Sequence, residues 1–264
     1  MASFGRMGPV GGVMPSPERC LAPPDLKYVF FGCDDTLYQN DFKTSDRISK
    51  RIGAFAGELG VGSDRLRRLE AEWGGPLQAL LIECLMPRDM IEEYFESVYA
   101  VDLKEVAPDP TLKRVVEHCR SAADRYVFTA SPREHAERCL KRLGLRGLFN
   151  SIVDVRCCEL NTKHASRSFD RAMLAAGCGD GRECVLVDDD VRNIAQAKLE
   201  GFTTILVGVV DRKTGDRRRC DDADYHIASV HDLPRALPTL FPPHFPPIDR
   251  PKPAPPDPYP RLEG

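Results

Sequence analysis

Residues 184–208, CVLVDDDVRNIAQAKLEGFTTILVG, decide how the chain is read. Cys184 to Asp188 is a β-branched run of strand length, Val191 to Glu200 carries apolar residues at helical spacing, and Thr203 to Val207 is a second strand-like run. Strand, helix and strand in so short a stretch form the unit from which parallel sheets are built. The rhythm recurs outward. Further strands are expected at Tyr28 to Gly32, Arg125 to Thr129 and Ser151 to Val153, with Tyr225 to Ala228 as a sixth, and helices at Arg133 to Leu143 and Ser166 to Ala176. The expected fold class is therefore α/β, a mostly parallel sheet covered by helices on both faces. One segment breaks the pattern: between Phe42 and Ala107, Ile48, Ile52, Phe55 and Leu59 recur at helical spacing and Leu66, Leu69, Leu77, Leu80 and Leu81 continue it. It reads as a helical insert after the first strand.

The ends read differently. Residues 1–26 are rich in Gly and Pro and lack an apolar signal-peptide core, so they read as a flexible leader, with a transit peptide left open because acidic residues are few. Residues 241–264 hold 10 of the 22 prolines, which favours polyproline II and a tail outside the core. Arg250, Pro253 and Pro256 have the spacing that SH3 domains read, but so many prolines produce it by chance, and a solvated tail is the reading adopted. The division is thus a leader at 1–26, a core at 27–41 and 108–240, an insert at 42–107 and a tail at 241–264.

Composition narrows the function classes. The 264 residues carry 37 Lys and Arg against 40 Asp and Glu, a net charge of −3, which disfavours a general nucleic-acid binder. With 42% apolar and 29% charged residues the chain is ordinary for a globular protein. No apolar run approaches the roughly 20 residues of a membrane-spanning helix. Ten cysteines without a CxxC pair, and six scattered histidines, show no zinc-ligand spacing and read as reduced thiols in a cytoplasm-like compartment.

Ligands of open parallel sheets bind beyond the carboxyl ends of the strands. Those ends carry Gly32, Cys33, Asp34, Asp35 and Thr36; then Thr129, Ala130 and Ser131; then Asp188, Asp189 and Asp190. Lys163 stands in a loop between the last two groups. Clustered carboxylates repel unless a cation lies between them, and oxygen ligands suit Mg²⁺. Asp35 and Asp190 are read as helix caps, whereas Asp34 and Asp188 are read as site residues.

In order and spacing, FFGCDDTLYQND (30–41), VFTASPREHAERCLKRLGL (127–145), TKHASRSF (162–169) and LVDDDVRNIAQAKLEGFTTILVG (186–208) resemble the four motifs of the haloacid dehalogenase (HAD) superfamily of phosphohydrolases. WGGPLQAL (73–80) and VAPDPTLKRVV (106–116) further resemble its pyrimidine 5′-nucleotidase branch. The resemblance implies a three-layer, Rossmann-like core with a small helical cap after the first strand, a Mg²⁺ cofactor and a phosphorylated small molecule such as a nucleoside monophosphate as partner. It implies Asp34 as acid/base, Thr129 and Lys163 as phosphate ligands, and Asp34, Asp188 and Asp189 as the metal-holding acids.

One position departs from the family pattern DxDxT. Glycine stands at residue 32, where the nucleophilic aspartate belongs. Glycine supplies neither a nucleophile nor a metal-ligating oxygen, so the expected phosphomonoester hydrolysis is weak or lost. Because side chains alternate along a strand, Cys33 is expected to point away from a site faced by residues 32 and 34. Asn193 is expected to orient the acidic loop, His164 stands where relatives often have Pro, His135 is placed near the site edge or in the core, and His226 and His231 have no evident partner. A second reading makes the chain a catalytically inactive pseudophosphatase that serves as a binding or scaffold protein. A third treats Gly32 as a sequence variant of an active enzyme.

Overall fold

The structure, a computed structural model, describes residues 25–119, 124–210, 216, 218–246 and 248. Most of the leader, and Arg250, Pro253 and Pro256 of the Pro-rich tail, lie outside the described residues. In chain order the elements are β1 (Tyr28–Phe31), α1 (Lys43–Glu58), α2 (Ser63–Trp73), α3 (Pro76–Ile82), α4 (Ile91–Tyr99), α5 (Pro110–His118), β2 (Asp124–Phe128), α6 (Arg133–Leu143), β3 (Ser151–Val153), α7 (Ser166–Ala176), β4 (Cys184–Asp188), α8 (Val191–Leu199), β5 (Thr203–Val207), β6 (Tyr225–Ile227) and α9 (Leu233–Ala236).

The six strands form one sheet in the order β3-β2-β1-β4-β5-β6, and every neighbouring pair runs parallel. Period-2 alternation divides their side chains between two cores. Val29, Phe31, Val127, Val185, Val187, Ile205 and Val207 pack with Leu112 and Val115 of α5 and with Ala136 and Leu140 of α6. Phe30, Phe128, Leu186 and Leu206 pack on the other face with Phe169 of α7 and Ile194 of α8. Two buried faces make three layers, which is why the strands read as unbroken apolar runs. No helix of the described residues is long and apolar enough to cross a membrane.

Residues 42–107 hold α1 to α4. Phe55 of α1 meets Tyr94 of α4 edge to face at 5.3 Å, and apolar residues of this segment share one hydrophobic cluster with the sheet face that α5 and α6 cover. Arg156 bonds Glu92 of α4 at 3.0 Å and lies 4.5 Å over the Phe95 ring. Gln78 of α3 donates to the Leu160 carbonyl at 2.7 Å. Asp109 caps α5 by accepting from the Leu112 N–H, and Pro110 at the first helical position needs no donor there.

Two expected boundaries shift. Leu26, assigned to the leader, is buried, and so is Phe241, assigned to the tail. The Phe241 and Phe245 rings meet at a tilt, 5.1 Å apart, and Ile248 packs against the same core, because apolar side chains interspersed among the first prolines still find a surface to cover. The tail reading therefore begins too early in the sequence.

The turn into β4 tolerates no side chain at Gly181, where an added Cβ meets the Glu200 carbonyl oxygen at 1.9 Å, whereas nothing lies within 4 Å of one at Gly179. Gly181→Ala is expected to destabilise the chain by about 2 kcal/mol, or roughly 4–8 °C in Tm, and Gly179→Ala to leave Tm nearly unchanged. Thermal unfolding of the two variants checks this; equal Tm values would contradict it.

Candidate active site

The central strand β1 ends between β2 and β4, so whatever follows Phe31 lies at the middle of the sheet's C-terminal edge. Gly32 keeps the strand's direction by donating to the Val187 carbonyl at 2.9 Å, and the chain then turns, with the Leu37 N–H bonding the Cys33 carbonyl at 3.0 Å. Space at Gly32 is already filled. A Cβ there meets Thr36 Oγ1 at 2.5 Å and Asp188 Oδ2 at 2.8 Å. Side-chain ends from the turn and from β4 have closed over the place where a nucleophile would stand.

Lys163 and Asp188 form a buried ion pair next to that place. Asp188 Oδ2 accepts from Lys163 Nζ, while Oδ1 accepts from the Asp190 N–H at 2.9 Å and from Asn193 Nδ2 at 2.8 Å. Asn193 thus orients the acidic loop as expected of it. Lys163 Nζ also lies 4.8 Å over the Phe128 ring. Thr129, buried at the end of β2, accepts from the Ser131 N–H at 3.1 Å. Asp189 accepts from the Thr36 hydroxyl at 2.8 Å, and burial together with Asp188 and Asp35 pushes its carboxyl up to about 8.

Asp190 caps α8 through the Arg192 N–H, as expected. Asp35 does not cap a helix. It sits in the left-handed region at φ 56° and accepts from Ser45 of α1, because the residues after it form a turn rather than a helix.

Asp34 takes an unexpected course. Its carboxylate accepts from Tyr38 at 2.5 Å, from Ser131 at 2.9 Å and from His135 at 2.8 Å. Burial disfavours its charge, but His135 and these donors outweigh burial and hold the carboxyl at about 2. His135, which burial would lower, is raised by Asp34 to about 10. A carboxylate held so low is a poor proton donor near neutrality. It also makes no metal trio with Asp188 and Asp189 among the described residues: the trio it joins, with ligand atoms within 4.8 Å, is Cys33 and Cys139. Among the described residues, Asp34, Asp188 and Asp189 do not form one cluster of side-chain ligand atoms. Residue 32 supplies no oxygen, so a Mg²⁺ ion at this edge would rest on Asp188 and Asp189.

Cys33 is buried among the core residues, as expected of it, and it lies beside Asp34. Alternation places it away from the site only while the strand lasts, and β1 ends at Phe31, so the turn carries Cys33 and Asp34 toward the same side of α6. Sequence reasoning missed Tyr38 and Cys139 as neighbours of Asp34. The available signal was the spacing of His135 and Cys139, one helical turn apart on α6.

The helical segment closes over Lys163. A cavity of about 180 Å³ is lined by Gly74, Gly75, Tyr94, Phe95 and Tyr99 on one side and by Ala130, Lys163, His164 and Asn193 on the other. Arg192 donates to the Gly74 carbonyl at 3.2 Å. Gly74 has φ 82° and its absent Cβ would stand 2.6 Å from His164 Nε2, so glycine is required there for both conformation and clearance.

The profile of the family described as haloacid dehalogenase-like hydrolase matches residues 26–201. The chain belongs to that family. Among solved structures, the L-2-haloacid dehalogenase of Xanthobacter autotrophicus with covalently bound chloropropionic acid is similar at a TM-score of 0.53 and 14% identity, covering 81% of this chain and 98% of that one. A second L-2-haloacid dehalogenase gives 0.52 and 16%, covering 81% and 99%. These likenesses establish the fold. Among curated proteins, phosphate metabolism protein 8 of Saccharomyces cerevisiae is 25% identical over 213 residues, 73% of this HAD-like chain and 63% of that protein's own length, so the match spans less than two thirds of the relative.

The raised carboxyl of Asp189 has a measurable consequence in this HAD-like site. The folded chain holds that proton more tightly than the unfolded chain, so stability falls as pH rises from 3.8 toward about 8. Asp189→Asn removes the ionisation while keeping an acceptor for Thr36. Its stability relative to the parent chain should rise across that interval in denaturant titrations; a difference that stays flat with pH would contradict the assignment.

Proposed function

We propose that this HAD-family chain binds a small phosphate monoester at the edge formed by β1, β2 and β4 and turns it over slowly or not at all. The observation that carries the reading is Gly32 beneath an otherwise furnished site. Lys163 and the Thr129 hydroxyl supply the charge and polarity that a phosphoryl group needs, and the family's fold supports a phosphohydrolase ancestry. The resemblance to the pyrimidine 5′-nucleotidase branch and the name of the yeast relative support a phosphate ester as ligand. Magnesium remains part of the proposal, resting on Asp188 and Asp189 with no oxygen from residue 32.

Chemistry limits turnover in two ways. In-line attack on phosphorus needs an anionic oxygen at residue 32, and loss of a nucleophile costs on the order of 10⁴ to 10⁶ in rate by analogy with protease knockouts. Water could replace it only with a base, and Asp34 is too weakly basic at a carboxyl held near 2. The cavity of about 180 Å³ reaches Lys163 but is not lined by Gly32, Thr129 or Asp188, so it adjoins the proposed phosphate position on the side of the helical segment.

The capture of Asp34 by Tyr38, Ser131 and His135 favours a second reading, the inactive binding or scaffold protein. One paired assay separates them: phosphate release from UMP, CMP and small phosphate esters by the parent chain and by Gly32→Asp, with Mg²⁺ at neutral pH. The new side chain must displace Thr36 Oγ1 and Asp188 Oδ2, at a cost of about 1–3 kcal/mol, which unfolding curves will register. Release at least about 100-fold faster by the variant is expected. Equal rates would overturn the role given to residue 32, and no release by a folded variant would leave the scaffold reading in its place.

A further inference from the structure

Four side chains, Cys33, Asp34, His135 and Cys139, gather around the turn after β1. Cys33, Asp34 and Cys139 each place a ligand atom within 4.8 Å of the other two. His135 Nε2 lies 3.6 Å from Cys139 Sγ and 2.8 Å from Asp34 Oδ1, and Cys139 Sγ is 4.0 Å from Asp34 Oδ1. Cys33, His135 and Cys139 are 2%, 1% and 0% exposed, so solvent does not compete for them.

We propose that Cys33, Asp34, His135 and Cys139 form a zinc site. The donor chemistry selects the metal: two thiols, an imidazole and a carboxylate are a borderline-soft set that suits Zn²⁺ and disfavours Mg²⁺. The spacing agrees. Tetrahedral bonds of about 2.3 Å to sulfur and 2.0–2.1 Å to nitrogen separate those two ligand atoms by about 3.5–3.6 Å, against 3.6 Å between Cys139 and His135. The Asp34 and His135 atoms, 2.8 Å apart, must spread by about half an ångström to admit the ion. His135 and Cys139 reach the site from one face of α6, and Cys33 and Asp34 from consecutive positions in the turn, so two rigid anchors hold all four. Ser131 on the second carboxylate oxygen of Asp34 gives a ligating carboxylate the outer hydrogen bond it usually has.

Binding releases the thiol protons and the proton that Asp34 and His135 share, so affinity rises with pH. The inference shares Asp34 with the proposed function, but neither Lys163 nor residue 32 enters it, and its metal-binding readouts do not depend on phosphate release.

The test uses the full chain, purified under reducing conditions without added metal. Elemental analysis is expected to find about one zinc per chain, and the chain stripped with a chelator should give, with Co²⁺, the thiolate-to-metal absorption of a tetrahedral sulfur-bound ion. Cys33→Ser and Cys139→Ser should each weaken Zn²⁺ by at least about 100-fold in chelator competition. Cys178→Ser, at a thiol pair 3.4 Å apart near β4, should leave affinity unchanged. Absence of the thiolate band from the parent chain would overturn the proposal whatever the variants do. So would Zn²⁺ affinity that survives both substitutions, or recovery of Cys33 and Cys139 as a disulfide unable to take metal until reduced and still unable afterwards.

Discussion

Lys163 and Asp188 face each other with 6% and 2% of their side chains exposed, and the arrangement of the sheet edge depends on satisfying them. A buried charge left without its partner costs several kcal/mol, so neither side chain can be spared independently. Asp188 is held at its other oxygen by Asn193 and by the Asp190 N–H, which ties the start of α8 to the end of β4. Lys163 comes from a loop before α7. The pair thereby fastens two elements of one sheet face around the place where Gly32 lies.

Glycine at 32 divides what that edge can do. On one side, Lys163 and Thr129 keep a buried cation and a hydroxyl at the sheet edge, and the helical segment closes over Lys163. On the other, Asp34 has been drawn into a network with Tyr38, Ser131 and His135, and the space of a nucleophile is occupied by Thr36 and Asp188. In the function proposed, binding and bond-making fall to separate residues, so losing the second need not abolish the first. The surplus negative charge of Asp35, Asp188 and Asp189 persists as a raised carboxyl on Asp189 rather than as a built cation site.

Much of the fold was legible because both faces of the sheet are buried: runs such as Cys184–Asp188 and Thr203–Val207 admit no polar alternation and stand out against the helices between them. The segment around Phe241 was misjudged because proline content says where regular structure stops, not whether neighbouring aromatic side chains stay packed. Lys163, Asp188 and Asn193 were legible from their places at loop and strand ends. The company Asp34 keeps was not. Period-2 alternation carries no information past Phe31, and the meeting of that turn with His135 and Cys139 depends on how α6 lies against the sheet.

The central claim is that ligand binding survives the loss of the nucleophile and runs through Lys163. Calorimetric titration of the parent chain and of Lys163→Met with a non-hydrolysable phosphonate ester tests it directly, with folding of the variant confirmed beforehand. Saturable binding by the parent chain that disappears in the variant is the predicted result. Equal binding by both, or none by either, would contradict it.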